Sequence, residues 1–280
     1  MWQYFGLVPA VLFLLVFSTD FEADAQVFMR MPQLAPTLGM GGAAVAYPSL
    51  NAGVGQEAAL GLGESSGVWM GTTLPYGLTG WQSLRLTAIL RTSHRDGLGL
   101  DVAHSGIEAY DEQRLRLLYG RRLSRALLIG ASADILRVLA REYGQSTKAT
   151  FSLSALTNPI PELWLGAQVY NPIQIEVSGI AIPAVLRLGA AWNASSTFIA
   201  SLEIEKDLER PTQFRLGTIY RPLHALALRL GARGEPLCLA IGADVRIAYG
   251  LILHTAAEWH TALGVTPAFA VAWQRPPSTR

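Results

Sequence analysis

Charge is scarce in this chain. Only 15% of its 280 residues are Asp, Glu, Lys or Arg, against about 25% in an ordinary soluble domain. A large water-facing surface is therefore not what the composition describes. Cysteine is almost missing as well, with Cys238 the only one. That excludes an internal disulfide and a four-cysteine metal site, and its place far down the chain excludes the acylated first residue of a lipoprotein. Beyond the N-terminus no apolar run approaches the roughly 18 residues that a spanning helix needs. A strong charge of one sign is missing too: 22 basic side chains stand against 21 acidic ones, a balance that argues against nucleic acid as a partner. Yet half of the residues are hydrophobic. Much apolar content without long apolar runs is what alternating strands produce when one face lies in lipid.

The N-terminus differs from the rest. Phe5 to Phe17 is an almost unbroken apolar stretch, too short to span a bilayer, and Ser18 to Asp24 turns polar. Ala23-Asp24-Ala25 has the A-x-A form of a cleavage site, so residues 1–25 are expected to be a signal peptide cut after Ala25. Met1 to Tyr4 carries no basic residue. Cleavage removes Asp20, Glu22 and Asp24 and leaves 22 basic against 18 acidic side chains, a net of about +4.

Two regions follow. Residues 26–66 are rich in Gly, Ala and Pro and show little alternation. From 67 to about 275, segments of some 8 to 14 residues alternate apolar with polar and are punctuated by Gly, Pro, Asn, Asp and Ser, the pattern of strands and tight turns. Leu186, Leu188, Ala190 and Trp192 oppose Arg187 and Gly189, and Leu226, Leu228, Leu230 and Ala232 oppose Arg229, Gly231 and Arg233. Neighbouring side chains on a strand point to opposite faces, so each segment has one apolar face and one face of charge and glycine. An Arg-Leu-Gly triplet recurs at Arg187, Arg215 and Arg229, as when a hairpin unit is reused. The segments number fourteen, and an even number is what a closed antiparallel barrel requires. The expected fold is all-β: a transmembrane barrel of residues 67–275, preceded by an N-terminal segment (26–66) that plugs the lumen and followed by a short tail (276–280). Trp81, Tyr110, Trp164, Tyr170, Trp192, Tyr220 and Trp273 fall near strand ends, where interfacial aromatic girdles sit. The longest connection runs from Asn171 to Pro183, too short for a separate domain.

Several motifs lose to plainer readings. Gly39-Met40-Gly41-Gly42-Ala43-Ala44 has the glycine spacing of a dinucleotide loop, but Pro32 and Pro36 precede it and no strand–helix–strand unit surrounds it. Gly63-Glu64-Ser65-Ser66-Gly67 has the spacing of a nucleophile elbow, but the strand follows the serine instead of preceding it. No catalytic constellation is found, so no enzymatic activity is expected. His254, Glu258 and His260 share a parity facing the lumen. On a strand His254 and Glu258 stand about 13 Å apart, too far to share an ion, so a hydrogen-bond network is expected there in place of a metal. Arg187, Arg215, Arg229, Asp244 and Arg246 are expected in the same lumen network, since buried charges must be paired or solvated.

Leu38-Gly39-Met40-Gly41-Gly42-Ala43-Ala44-Val45-Ala46, together with Leu230-Gly231 through Pro236, Leu239-Ala240-Ile241-Gly242 and His260-Thr261-Ala262-Leu263-Gly264 before a last strand ending near Trp273, resembles the PorV/PorQ and FadL-like outer-membrane barrels. The resemblance implies fourteen strands, an N-terminal segment tucked inside, and one of two functions. One is an accessory or docking component of a type IX-like protein export assembly, with secretion-system proteins as partners; this is the first expectation. The alternative is a transporter of hydrophobic small molecules. Two features depart from the family: Gly55-Gln56-Glu57-Ala58-Ala59-Leu60 stands where an Asn-Pro-Ala-Gly-like helix start is usual, and the last strand runs into Gln274-Arg275-Pro276-Pro277, leaving Trp273 as the terminal assembly aromatic. Lipid of the outer membrane is the expected surrounding, and no cofactor is expected. Glycine is favoured where backbones approach closely or φ is positive. Gly39, Gly41 and Gly42 are therefore expected to pack against inward glycines such as Gly189, Gly217 and Gly231. Lumen arginines are expected to bond the carbonyls of the segment.

Overall fold

A computed structural model describes residues 33–49, 55–63, 65–142, 144–177, 179–207 and 210–275. The proposed signal peptide and the tail after 275 lie outside the described residues. The alternating segments become strands β1 (Gly67–Thr73), β2 (Gln82–Arg91), β3 (Asp96–Ile107), β4 (Tyr110–Arg122), β5 (Leu127–Ala140), β6 (Gly144–Ile160) and β7 (Leu163–Tyr170). A small hairpin, β8 (Glu176–Val177) and β9 (Ile180–Ala181), interrupts the series. It continues with β10 (Val185–Asn193), β11 (Phe198–Asp207), β12 (Gln213–Leu223), β13 (Leu226–Arg233), β14 (Cys238–Arg246), β15 (Leu251–His260) and β16 (Gly264–Gln274). All but β8 and β9 join one closed antiparallel barrel of fourteen strands, in which each strand pairs with its neighbour in the series. The ring closes where β1 meets β16, with Gly71 opposite Ala270. Closure leaves no unpaired strand edge, the condition for strands to cross a bilayer. Among the described residues no helix is long and apolar enough to cross one.

The parity of the sequence fixes which side chains meet lipid. Leu84, Leu86, Leu117, Leu188, Leu230, Ile241 and Val271 are exposed on the outside of the ring, while Arg85, Arg116, Glu203, Arg215, Arg229 and Asp244 are buried within it. Tyr119, Trp192, Phe198, Tyr220 and Trp273 are exposed near the end of the barrel where β1 starts and β16 finishes, hereafter the terminal end, and form an aromatic belt there. Three of the aromatics expected in a girdle face the other way. Tyr110 and Tyr170 pack in an inner cluster with Leu136 and Val138, and Trp164 packs in another. The cause is register: Leu115 and Leu117 face lipid, so even-numbered Tyr110 on the same strand must face inward. Trp81 lies just before β2, its Nε1 donating to Ser105 Oγ at 2.9 Å.

The register predicts the response to charge. Leu188→Arg, near the middle of β10, is expected to cost about 2–4 kcal/mol of folding free energy in lipid. Arg187→Gln is expected to cost far less, because Glu205 keeps Arg215 as a partner at 2.5 Å. Urea titration of barrels refolded in vesicles measures both, and equal losses would contradict the facing.

Residues described ahead of β1 lie against the inward faces of the strands, Ala44 on Glu203 and Glu57 on Ser152 among them. Pro36 at the start of the short helix α1 (Ala35–Leu38) has the fixed φ suited to the first turn, and all four of its residues are buried. A 3₁₀ turn spans Glu57–Leu62. The connection from Asn171 is more structured than its composition suggests. Its β8–β9 hairpin folds inward at the end opposite the terminal one, burying Val177 and Ile182 against Ala103, Leu136 and Val138. Asn171, at φ 49°, anchors the fold-over: its Oδ1 accepts from Thr150 Oγ1 at 2.7 Å and its Nδ2 donates to Ile182 O at 2.7 Å.

Candidate functional site

The inward glycines form a groove that the N-terminal backbone occupies. A Cβ at Gly231 would lie 2.1 Å from Gly41 N, one at Gly166 2.1 Å from Val45 O, and one at Gly217 2.8 Å from Met40 O. At Gly189 it would meet Val45 Cγ1 at 2.6 Å. Farther round the ring, Gly120 and Gly130 give the same room to Glu57 O and Ala58 N, each 2.3 Å from such a Cβ. Gly41 and Gly42 take φ of 62° and 84°, a turn that L side chains rarely adopt. Gly39 lies against Gly242, whose Cα is 3.2 Å from the Cβ that Gly39 lacks.

Polar side chains fasten the segment at three places. At the first, Glu203 Oε2 accepts from Ala44 N at 2.9 Å and Val45 N at 2.8 Å, while its other oxygen lies 3.3 Å from Arg215 Nη1. At the second, Glu57 accepts from Gln168 Nε2 at 2.8 Å, Ser152 Oγ at 2.8 Å and Arg116 Nη2. Gln56 Nε2 beside it donates to Ala155 O at 2.6 Å and Ala167 O at 3.1 Å. At the third, Arg229 donates to Asp244 Oδ2 at 2.6 and 2.9 Å and to Met40 Sδ at 3.0 Å, and His254 Nδ1 lies 2.7 Å from Asp244 Oδ1. Glu57 and Gln56 were not legible as site residues. The only signal in the sequence is an acidic side chain at the head of an otherwise apolar turn.

The residues expected in the lumen network divide into separate groups. Arg187 and Arg215 share Glu205, at 2.6 and 2.5 Å. Arg229, Asp244 and His254 form the second group. Glu258 stands apart and pairs with Arg233 at 2.7 Å. His260 binds its own turn, Nδ1 accepting from Ala262 N and Leu263 N at 3.1 Å, and its ring meets Tyr76 edge-on at 5.8 Å. Arg246 corrects the expectation. It shares the inward parity of Asp244 but is the last residue of β14, so it is exposed at the rim of the terminal end. The expected arginine-to-carbonyl bonds are also few. Arg122 Nη2 reaches Leu62 O at 3.2 Å, but the main polar hold on the segment is by carboxylates and amides. Lumen arginines are drawn first to the acidic residues across the strands.

The charges do not surround the lumen evenly. The inward faces of β1 and β16 carry none: Gly67, Trp69, Gly71 and Thr73 on one, Thr266, Ala268, Ala270 and Ala272 on the other. Leu34 and Leu38, with Ala35, pack on this uncharged strip beside Trp69, Ile252 and Ala256.

No family model matches the sequence, and no curated protein does. Solved structures match the fold. The toluene transporter TbuX of Ralstonia pickettii aligns with a TM-score of 0.71 at 14% identity, over 89% of this chain and 100% of that one. The toluene transporter TodX of Pseudomonas putida gives 0.66 at 13% identity, over 90% and 100%. A FadL homologue of Pseudomonas aeruginosa gives 0.62 at 9% identity, over 88% and 99%. The architecture is that of bacterial outer-membrane barrels of this type.

Proposed function

We propose that this protein is a non-enzymatic, passive transporter of hydrophobic small molecules across the outer membrane, with residues 33–49 and 55–63 in its hatch. The observation that carries the reading is the uncharged strip of β16 and β1, which runs along the lumen and is covered by Leu34 and by Leu38 of α1. An apolar solute needs a path on which it meets no unpaired charge. Here the ion pairs are confined to the rest of the ring, and Leu34 and Leu38 cover the strip by apolar contact. The solved structures that share the fold include toluene transporters, which favours transport over the docking role in protein export that stood first from sequence. The lattice of paired charges leaves polar solutes no comparable route.

A reversible tether tests this. In a Cys238→Ala, Val45→Ala background, Ala46→Cys with Gly189→Cys places two Cβ atoms 3.5 Å apart where the segment and β10 touch, a separation that a disulfide spans. Uptake of the apolar dye N-phenyl-1-naphthylamine into cells producing the oxidised protein is expected to fall at least tenfold and to return with reductant. Uptake that ignores the tether would overturn the hatch.

A further inference from the structure

The outer face of the barrel is not smooth. Toward the terminal end a groove of about 320 Å³ crosses β1, β2 and β3, lined by Val68, Ala88, Leu90, Leu98, Leu100 and Trp273. All six share the outward parity of their strands. The hollow has a simple cause. Ala88 stands opposite Val68 on one side and Leu100 on the other, and its short side chain leaves a gap among larger ones. β2 and β3 pair without a break from Gln82–Gly106 to Arg91–Gly97, so the groove is a depression of the wall and not an opening through it.

One end of the groove is polar and basic. Ser66 lines it there. Its Oγ accepts from Arg91 N at 3.0 Å and its carbonyl from Arg275 N at 2.9 Å, so two arginines flank one serine at the rim. Arg95, Arg121, Arg122 and Arg125 stand in or beside the β2–β3 and β4–β5 turns. Among the described residues Asp96 is the acid of these two turns, and it is already engaged. Ser93 Oγ donates to it at 2.8 Å and Tyr119 Oη at 2.9 Å, and Arg121 lies 3.6 Å away. Arg91 turns its guanidinium to Ser93 O at 3.3 Å and to His94. Arg275, two residues beyond Trp273, is exposed and has no carboxylate partner among the described residues. The two longest connections, 74–81 and 171–184, lie at the opposite end of the barrel. Outer-membrane barrels keep their short turns on the periplasmic side, which puts this rim at the inner, phospholipid leaflet.

We infer that this groove and its basic rim bind one anionic phospholipid. An acyl chain lies over Ala88 between Val68 and Leu100, and the phosphate meets Arg275 and the arginines of the β2–β3 turn. Trp273 sits between the two, where a ring with one apolar and one polar edge is suited to the boundary of chain and headgroup. Charge chooses the occupant. A zwitterionic lipid offers the same chain, but its own cation offsets the phosphate, whereas each arginine near an anionic headgroup adds attraction. The site faces outward and requires no movement of the hatch, so it stands or falls separately from the transport reading.

Native mass spectrometry of the purified full-length protein in detergent tests it, titrated with phosphatidylglycerol and with phosphatidylcholine of the same acyl chains. Phosphatidylglycerol is expected to occupy one site at least fivefold more tightly than phosphatidylcholine. Arg275→Gln is expected to weaken phosphatidylglycerol about fivefold and to leave phosphatidylcholine unchanged. Ala88→Phe fills the groove with an outward apolar side chain that the membrane accepts, and is expected to weaken both lipids. Ala243→Phe, equally outward on β14, is the control and keeps both. Equal binding of the two lipids, Arg275→Gln binding phosphatidylglycerol as the parent does, or Ala88→Phe behaving like Ala243→Phe would each overturn the assignment. Displacement of the lipid by inorganic phosphate or by poly-glutamate would do so too, in favour of a free anion or an acidic protein at the rim.

Discussion

Gly231→Val is expected to expel the N-terminal segment from the barrel while leaving the barrel folded. The added Cβ would stand 2.1 Å from Gly41 N and 2.2 Å from Met40 C. These are backbone atoms, so no rotamer change relieves the clash. Overpacking of a close-packed interior costs about 1–3 kcal/mol and sometimes more, and here the whole cost falls on the seated state of the segment. A penalty of about 3 kcal/mol raises the unseated population more than a hundredfold, since about 1.4 kcal/mol is a factor of ten. Two measurements follow it: single-channel conductance in planar bilayers, silent in the parent and open in the variant, and maleimide labelling of Thr37→Cys in the Cys238→Ala background. Gly234→Val is the control, because its Cβ would come no nearer than 3.9 Å to Phe214 O. If both valine variants stay silent and unlabelled, the close packing does not hold the segment.

Glu57→Ala is expected to have a similar effect for an electrostatic reason. The carboxylate is fully buried and gathers Arg116, Ser152 and Gln168 around it. Its removal strands donors from three strands of the wall. Removing one partner of a buried ion pair costs about 3–5 kcal/mol, most of it the uncompensated charge left behind. Arg116 keeps Asp134 at 3.0 Å, which sets the lower figure as the expected one. Faster labelling of Thr37→Cys measures the loss. Glu57→Gln should lose less, because an amide oxygen still accepts from Gln168 and Ser152. In Glu57→Ala combined with Arg116→Ala, part of the loss should be recovered, as expected for residues in contact. Purely additive losses would show that the pair does not couple.

The two variants probe parts of the molecule that differ in how plainly the sequence states them. Gly231 belongs to a repeated Arg-Leu-Gly pattern in which glycine recurs on the polar face, a signal that something approaches that face closely. Glu57 is one acidic residue in a short apolar turn, and nothing local says that its partners lie at 116, 152 and 168. The same contrast holds for Arg246, whose parity matches that of Asp244 but whose place at the end of β14 exposes it. Parity is a local property. Depth in the barrel depends on where each hairpin turns and how the strands are staggered.

The sequence by itself determined the fourteen barrel strands, their two faces and the aliphatic side chains that point outward, though not the facing of Tyr110, Trp164 and Tyr170. Those follow from a period of two residues and from turn residues between the runs, and a closed barrel is the way to satisfy every strand edge in lipid. Only the tertiary structure decided what fills the lumen. The uncharged strip on β16 and β1 unites residues about 200 positions apart in the chain. The β8–β9 hairpin folds inward because Val177 and Ile182 find apolar partners on distant strands, and the Arg229–Asp244–His254 group forms where three strands come into register. Such contacts depend on cross-strand stagger and on the path of the N-terminal segment. Neither leaves a periodic trace in the sequence.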